Sequence, residues 1–343
     1  MIKVSYHDSV KDVQAKLDTK SADDLNARAP FDRLEWYGLL ENSGLAPLFA
    51  CAQQDKTVAL LALMQSEGRI TPLRNWYAST WRPLAAPGEL GDAMIQTIAT
   101  DLKSRAYRVT LEPVSNEDGC ADRIACAFAA AGWRTEVSQC DMNHVIHLKG
   151  RDFKEYWAQR PGRLRTTLKR KAKKVTAKIS DRFTPELWDN YERIYAASWK
   201  PEEDHPEMLR AFAEMEGEAN RLRLGLAFLD GLPVAAQFWT VENDCAYIHK
   251  LAHLDEHKHL SAGTTLSAAM FEHVIDQDNV ASIDFGTGHQ PYKSDWMDEI
   301  RPRYRIDCLN MIRPAAWYDL AKLSLSRLRD DSVPMLAPRP PAV

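Results

Sequence analysis

Short apolar runs bounded by polar turns alternate along the chain with longer stretches in which apolar residues recur every third or fourth position. The first pattern is typical of strands and the second of helices, so an α/β fold is predicted. In the first half the expected order is hairpin, third strand, loop, helix and strand, at 48–53, 57–65, 69–79, 89–105 and 109–114. The helix is the clearest of these elements, because Leu90, Met94, Ile98 and Leu102 share one face.

The second half repeats this order. Hairpin, third strand, loop, helix and strand are expected again, at 222–229, 232–241, 245–254, 265–276 and 280–285. The spacing from the hairpin turn to the last strand is also alike, with 54 residues from Asp55 to Val109 and 53 from Asp230 to Ile283. Strand–helix alternation is common enough for a chance match, but the shared order and spacing favour two copies of one α/β unit.

Length and composition are those of a globular protein with two domains. At 343 residues the chain exceeds a usual single core, and its net charge of −4 gives no global basic field for nucleic acid. No apolar run approaches a membrane span and the N-terminus lacks the apolar region of a signal peptide, so a cytoplasmic location is expected. The six cysteines contain no CxxC pair and do not cluster, which indicates reduced thiols and no metal site.

One stretch near the C-terminal end concentrates polar chemistry. The apolar run 280–285 predicts a buried strand that carries Asp284 and breaks at Gly286 and Gly288. Tyr292 and Lys293 follow shortly after this break. A strand end that opens into a glycine-broken loop is where α/β proteins hold ligands, so a functional site is predicted here.

Three segments resemble one enzyme superfamily. The basic segment RPGRLRTTLKRKAKK, the loop HLSAGTTL and the stretch IDFGTGHQPYKSDW are similar to segments of the GNAT acyltransferases. More closely, the chain resembles the branch with two tandem GNAT domains, the BioF2-like or CelD-like acetyltransferases, which is related to the FemABX peptidoglycan aminoacyltransferases. The resemblance covers residues 150–312, whereas the first half is matched only in the order of its elements.

The resemblance implies an α/β fold of two tandem GNAT domains, with mixed central sheets flanked by helices. The expected boundaries are 1–150 for a non-catalytic N-terminal domain, 151–313 for the acyltransferase domain and 314–343 for a C-terminal segment. A basic helix near 163–178 is expected between the domains. The C-terminal segment is expected to form an amphipathic helix with Trp317 and Leu320 on its apolar side, followed by a disordered tail.

The resemblance also implies transfer of an acyl group from a thioester, either acyl-CoA or an acyl-carrier-protein conjugate (acyl-ACP), to an amine. GNAT enzymes hold the CoA pyrophosphate on backbone amides where a helix begins, because free N–H groups suit phosphate. The expected binding segment comprises Ser261, Ala262, Gly263, Thr264 and Thr265. It departs from the family pattern, since Ala262 replaces a usual proline and only one glycine remains. No permanently bound cofactor is expected.

Three residues of the C-terminal stretch are candidates for the chemistry. By resemblance, Lys293 is expected near the reacting carbonyl, where its charge would stabilise an oxyanion; the alternative is a surface lysine paired with Asp295 or Asp298. Tyr292 would return a proton to the leaving group, or would be an amphipathic core residue. Asp284 would act as a base or, in the favoured interpretation, would cap its own glycine-broken loop.

The strand 245–254 contributes two histidines. Alternation of side chains places His249 and His253 on the same face, and both titrate near neutrality. Either is a candidate general base, and each has the alternative of being a buried structural histidine. On the adjacent strand, Gln237 and Trp239 share a face; they are expected either to line an acceptor pocket or to fill the core.

The basic run 163–178 has two interpretations. Charge runs are usually solvated helix faces, but this one could also bind a phosphate of CoA, of tRNA or of a lipid head group. At helical spacing, Arg165 and Lys169 are the residues expected to do so. No aromatic residue is interleaved in the run, which disfavours stacking with nucleic-acid bases.

The sequence therefore predicts a cytoplasmic N-acyltransferase whose partners are an acyl thioester, an amine acceptor and, as an option, an acyl carrier protein. A lipid amine such as a sphingoid base is one specific acceptor, as in bacterial ceramide synthases of the same superfamily. Trp317 and the basic helix would suit peripheral contact with the inner membrane. The alternatives are a FemABX-like ligase that takes aminoacyl-tRNA, the one case with a nucleic-acid partner, and a non-catalytic GNAT-fold binding protein.

Overall fold

The computed structural model describes residues 1–17, 27–288 and 290–329, the last seven of them by main chain only. Contacts divide the chain into two compact units. Unit 1 comprises Met1–Met142 and the chain from Pro302 onward, and unit 2 comprises Asn143–Arg301. The tail that was predicted to be disordered lies outside the described residues, as does residue 289 of the glycine-broken loop.

Unit 1 is a mixed sheet with helices packed on it. Its strands are β1 (Lys3–His7), β2 (Leu48–Gln54), β3 (Thr57–Ser66), β4 (Arg69–Pro72), β5 (Leu84–Ala85), β6 (Arg108–Val114), the first part of β7 (Arg134–His147) and most of β13 (Glu299–Leu309). Their order is β1-β2-β3-β4-β6-β13-β7, and β5 pairs with β3. Its helices are α1 (Val10–Lys16), α2 (Leu34–Asn42), α3 (Glu89–Leu102), α4 (Cys120–Ala130) and α10 (Pro314–Arg329).

Unit 2 is a second mixed sheet. It contains the last residues of β7, then β8 (Thr176–Ser180), β9 (Leu222–Leu229), β10 (Leu232–Glu242), β11 (Cys245–His253) and β12 (Ser282–Thr287). Their order is β7-β12-β11-β10-β9-β8. Its helices are α5 (Phe153–Ala158), α6 (Gly162–Lys171), α7 (Pro185–Ala196), α8 (Pro206–Glu218) and α9 (Ala262–Asp276).

The predicted repeat is present in the pairing of the strands. In unit 1, β2, β3 and β4 pair antiparallel in succession and β4 pairs parallel with β6. In unit 2, β9, β10 and β11 pair antiparallel in succession and β11 pairs parallel with β12. Asp55 and Asp230 open the two hairpin turns with φ of 54° and 49°, a conformation that Asp tolerates better than most residues. The prediction of two α/β units with mixed sheets is confirmed.

Helices cover both faces of the sheet in unit 2. On one face, Trp239 of β10 packs edge-on against Phe271 of α9. On the other, the neighbouring Phe238 contacts Trp188 of α7 and Phe212 of α8. Helix α9 lies close to the sheet because β9 carries Gly225 beneath it, where a Cβ atom would come within 2.5 Å of the Met270 sulfur. This close packing fixes the position at which α9 begins.

The C-terminal strand and helix belong to unit 1, because β13 pairs antiparallel with β6. The units therefore divide at 142 and 301, whereas the sequence-based domains divide at 150 and 313. Helix α10 is confirmed, but its predicted apolar face is wrong: Trp317 is 60% exposed, whereas Asp319 is buried. The cause is electrostatic, since the Asp319 carboxylate accepts hydrogen bonds from Arg69 (2.8 Å) and Arg108 (3.1 Å) and so turns inward.

Two further features are the state of the cysteines and the length of the helices. The six cysteines are free thiols, of which Cys51, Cys120 and Cys308 are buried. Among the described residues, every helix is too short or too polar to cross a bilayer.

Candidate functional site

The start of α9 has the properties of an anion site. Ser261 precedes the helix in a left-handed conformation (φ 53°), and the following N–H groups of the first turn lack acceptors within the helix. The first turn carries no acidic residue, and the Lys171 ammonium at the end of α6 donates to Ser261 Oγ over 3.0 Å. Free amides, the positive end of the helix dipole and a lysine together favour a phosphate.

Thr265 adds an unusual feature to this helix start. Its side chain is 8% exposed, and within the described part of the chain its buried Oγ1 atom has no hydrogen-bond partner. Buried hydroxyl groups are normally satisfied, because an unmade hydrogen bond costs about 1–3 kcal/mol.

His253 lies directly beside the same helix start. A Cβ atom on Gly263 would lie 3.3 Å from His253 Nδ1, so the glycine permits this approach. The Trp199 ring covers the imidazole at a centroid distance of 4.3 Å. Burial lowers the pKa of His253, and Lys258 and Lys200 add to this effect against the opposing charge of Asp255. The imidazole is therefore neutral at neutral pH and able to accept a proton.

The prediction that His249 and His253 share a face is wrong. Strand β11 has a β-bulge, since Phe238 pairs with Lys250 and Trp239 with Ile248, which leaves His249 as the extra residue. The imidazole of His249 packs against Phe212 and Phe238. Its Nε2 atom is 2.7 Å from Thr240 Oγ1. His249 thus faces α7 and α8, whereas His253 faces α9.

The parallel strands β11 and β12 pair only over a short distance. Cys245–Tyr247 pair with Ser282–Asp284, and beyond these residues the two strands form no ladder with each other. β11 continues to His253, and β12 runs into a loop where Gly286 and Gly288 have φ of 68° and 120°. Unpaired backbone groups of neighbouring strands can hydrogen-bond an extended ligand. The opening lies between His253 and the glycine-broken loop.

Asp284 caps the glycine-broken loop that follows β12, which is the role favoured from the sequence. Its carboxylate accepts a hydrogen bond from the Gly286 N–H over 2.7 Å and from the Asn143 side-chain amide over 2.8 Å. Both contacts lie at the point where β12 ends. Two hydrogen bonds to the charged form suit a carboxylate that positions backbone.

Lys293 is a buried residue that also holds the loop. Its ammonium donates to the carbonyl oxygens of Phe285 (3.1 Å) and Thr287 (2.6 Å), and the residue is 6% exposed. The expected alternative, a surface lysine paired with Asp295 or Asp298, does not fit this burial; Asp295 pairs with Arg163 over 2.6 Å and Asp298 with Arg160. The amine thus stands at the end of β12, with its charge directed onto backbone carbonyls.

Replacing Lys293 with methionine is expected to lower the free energy of unfolding by about 3 kcal/mol, because buried carbonyl groups lose charge-assisted hydrogen bonds. Thermal or urea unfolding followed by circular dichroism measures the change. The exposed Lys258→Met is the matched control, and we expect it to stay within about 0.5 kcal/mol of the wild type. Equal stability of the two variants would contradict this account of the loop.

Tyr292 precedes this lysine and points partly to solvent. Its ring contacts Phe285 edge-on at 5.8 Å, and the residue is 39% exposed. Burial of part of the side chain raises the pKa of the phenol, so it keeps its proton at neutral pH. A protonated phenol at the end of β12 is able to donate to a leaving group.

The remaining predicted residues occupy two different environments. Gln237 and Trp239 are buried: the Gln237 amide donates to the Gly263 carbonyl (3.2 Å) and accepts from the Trp239 indole (3.0 Å). They therefore fill the core and tie α9 to β10, the second of their expected roles. Arg165 and Lys169 are exposed on α6.

Sequence reasoning missed two residues of the site. Lys171, rather than Lys169, donates to Ser261, because the last turn of α6 brings that lysine to the helix start. The only signal was its place in the basic run. Trp199 gave no signal at all, since a tryptophan after a helix end fits any surface.

The matching position in unit 1 lacks these properties. Its equivalent helix, α3, has Glu89 and Asp92 in its first turn, which repel an anion. A Cβ atom on Gly91 would also lie 2.0 Å from the Ala86 carbonyl oxygen, so backbone already occupies the helix start. Of the two repeats, only unit 2 keeps a helix start suited to phosphate.

Comparison with known protein families matches a segment that lies within unit 2. Residues 162–294 match the family described as an acetyltransferase (GNAT) domain. No curated protein matches the chain by sequence. Among solved structures, FemX is similar with a TM-score of 0.63 at 10% identity, over 90% of this chain and 97% of that one.

Two further solved structures have the same fold. The C-terminal domain (DUF2156) assigned to a lysylphosphatidylglycerol synthetase of Agrobacterium fabrum has a TM-score of 0.57 at 13% identity, covering 89% of this chain and 95% of its own. L-PGS from Bacillus licheniformis has a TM-score of 0.55 at 11% identity, covering 85% and 91%. Residues 162–294 are therefore similar to the acetyltransferase (GNAT) domain family, and the chain shares its fold with FemX and the two synthetase structures.

Proposed function

We propose that unit 2 transfers an acyl group from acyl-CoA to a primary amine. The observation that supports this most is the open start of α9, with Lys171 on Ser261 and no acidic residue in the first turn. A CoA pyrophosphate suits these groups, and an acyl-carrier-protein thioester would bring only a single phosphate to them. The extended arm of CoA would then lie in the opening between β11 and β12.

The residues around this opening supply the chemistry. His253 takes a proton from the incoming ammonium, and the neutral amine attacks the thioester carbonyl. The new C–N bond forms and the C–S bond breaks. Tyr292 gives its proton to the thiolate and takes up the second proton that the attacking nitrogen loses. Lys293 and Asp284 hold the loop at the end of β12, and we propose that the positive charge of Lys293 favours an oxyanion that develops beside this loop.

The assay uses purified protein with acyl-CoAs of several chain lengths and a panel of amines. Thiol release and the mass of the amide product are measured together. We expect one thiol released for each amide formed. A complete lack of turnover with every thioester would contradict the proposal.

A second function has a specific observation in its favour. Arg165 and Lys169 are exposed on α6 at helical spacing, where they could contact the phosphates of an RNA. Aminoacyl-tRNA would then be the donor, as proposed for a FemABX-like ligase. Co-purification of tRNA, together with transfer from aminoacyl-tRNA and none from acyl-CoA, would support this function over the first. If the protein had neither activity, the result would favour the third alternative, a non-catalytic binding protein with the GNAT fold.

We further propose that α10 contacts a membrane surface, which would suit a lipid amine such as a sphingoid base as the acceptor. Ile312, Trp317 and Tyr318 are 82%, 60% and 63% exposed, with Arg313 and Lys322 beside them in the chain. Aromatic rings next to basic side chains are typical of interfacial helices on anionic lipid. Co-sedimentation with anionic vesicles, absent with neutral ones, is the expected result; no binding to either would contradict it.

A further inference from the structure

A cavity of unit 2 is lined by residues of α7, of α8 and of the segment that connects these two helices. Its volume is about 570 Å³, which is within the range of small-molecule sites. Rings and aliphatic groups from the two helices form most of its wall: Trp188, Tyr191, Tyr195, Pro206 and Leu209. These groups would contact the apolar body of a ligand.

The polar groups of the cavity come mainly from one segment. Lys200, Glu202 and Glu203 line it, and all three lie in the connection between the helices. Glu203 forms a buried ion pair with Lys250 of β11 over 2.9 Å. Burial lowers the pKa of Lys250 to about 8. A buried ion pair adds little stability compared with apolar packing, and perturbed charges in a cleft are typical of functional sites.

The same segment joins the cavity to the candidate catalytic base. Trp199, next to Lys200, contacts His253 with a tilted ring at a centroid distance of 4.3 Å, and the Lys200 charge acts on that imidazole. His253 in turn lies against the start of α9. Through Trp199, the segment that lines the cavity therefore contacts the proposed base.

We propose that this cavity binds the amine acceptor, and that the acceptor is an amine with an apolar aromatic or aliphatic body; this rests on the proposed function. The ammonium enters beside the exposed Glu202 carboxylate. The apolar body packs between Trp188 and Leu209. Amino sugars and peptide amines would leave these rings in contact with polar groups, so the cavity discriminates against them.

Binding of amines without any acyl donor tests the proposal. Calorimetric titration of the full chain compares 2-phenylethylamine and octylamine with glucosamine. We expect the two apolar amines to bind at least about tenfold more tightly than the amino sugar. Equal affinity for all three would overturn the proposal.

Two variants test whether the amine binds in this cavity. Ala196 and Ala197 are both exposed at the end of α7, but only Ala196 is among the residues that line the cavity as described. Ala196→Trp fills the cavity and is expected to lower the affinity for 2-phenylethylamine by about tenfold or more, whereas Ala197→Trp leaves it unchanged. Both variants should bind acyl-CoA as the wild type does. Identical amine affinities in the two variants would overturn the assignment.

The results separate this inference from the function on which it rests. Thioester turnover with polar amines alone would sustain acyl transfer and refute the apolar acceptor. Tight binding of apolar amines without consumption of any thioester would sustain the cavity assignment and refute acyl transfer.

Discussion

Replacing Thr264 with glutamate is expected to lower the affinity for acyl-CoA by about a hundredfold or more. The carboxylate would stand in the first turn of α9, where the amides and Lys171 are proposed to hold the pyrophosphate. Two negative charges would then share one site. The fold should not suffer, because a glutamate near a helix N-terminus interacts favourably with the helix dipole.

The matched control is Thr264→Gln, which has the same shape without the charge. We expect it to bind acyl-CoA within a few-fold of the wild type. Isothermal titration measures both affinities, and thermal unfolding verifies that both variants are folded. Similar affinity in the glutamate and glutamine variants would show that no phosphate binds at this helix start.

Replacing His253 with alanine is expected to lower kcat by about 10²–10⁴-fold, the usual contribution of a general base. Binding of acyl-CoA should be unchanged, since the imidazole contacts the side of the first turn rather than its amides. His249→Ala is the control, because the bulge turns that histidine to the opposite face. A larger loss of kcat in His249→Ala than in His253→Ala would contradict the assignment.

The pH profile tests the same residue independently. Because burial lowers the pKa of His253, the neutral base persists at the ordinary histidine value of 6.5 and is lost only at lower pH. We therefore expect kcat/KM to fall on the acid side below pH 6.5, and this limb to disappear in His253→Ala. The free energy of unfolding depends on pH in the same direction. His253 takes up its proton at a higher pH in the unfolded state than in the folded state, so stability falls as the pH drops below 6.5.

Much of the fold follows from local pattern. The hairpin turns at Asp55 and Asp230 combine a residue that tolerates positive φ with flanking apolar runs, so both hairpins are visible in the sequence. The helix start at Ser261–Thr265 and the loop after Asp284 were also located, the first by resemblance and the second by its glycines. These features depend on neighbours in the chain.

The rest depends on contacts between distant residues. Alternation put His249 and His253 on one face, and only the pairing of β11 with β10 reveals the bulge that separates them. Trp317 was placed inside by the helical pattern of α10, but the distant Arg69 and Arg108 draw Asp319 inward instead. The role of Lys171 likewise depends on where α6 ends relative to α9.

The two repeats differ at one equivalent position: the start of α9 is open, whereas the start of α3 is filled by protein groups. In α3 the acidic Glu89 and the nearby Ala86 carbonyl occupy the position that Lys171 and free amides have in α9. Chemistry therefore belongs to unit 2 in this account. The opening at the end of β12, with Lys293 turned onto its own loop, forms one side of the proposed site, and His253 forms the other.

The most direct measurement is transfer from acyl-CoA to an apolar primary amine by the purified chain, with thiol release and product mass followed together. We expect stoichiometric thiol and amide from the wild type, little of either from Thr264→Glu, and near-normal amounts from Thr264→Gln. Amide formation that is unaffected by the glutamate, or the absence of amide with every acyl-CoA, would contradict the proposal.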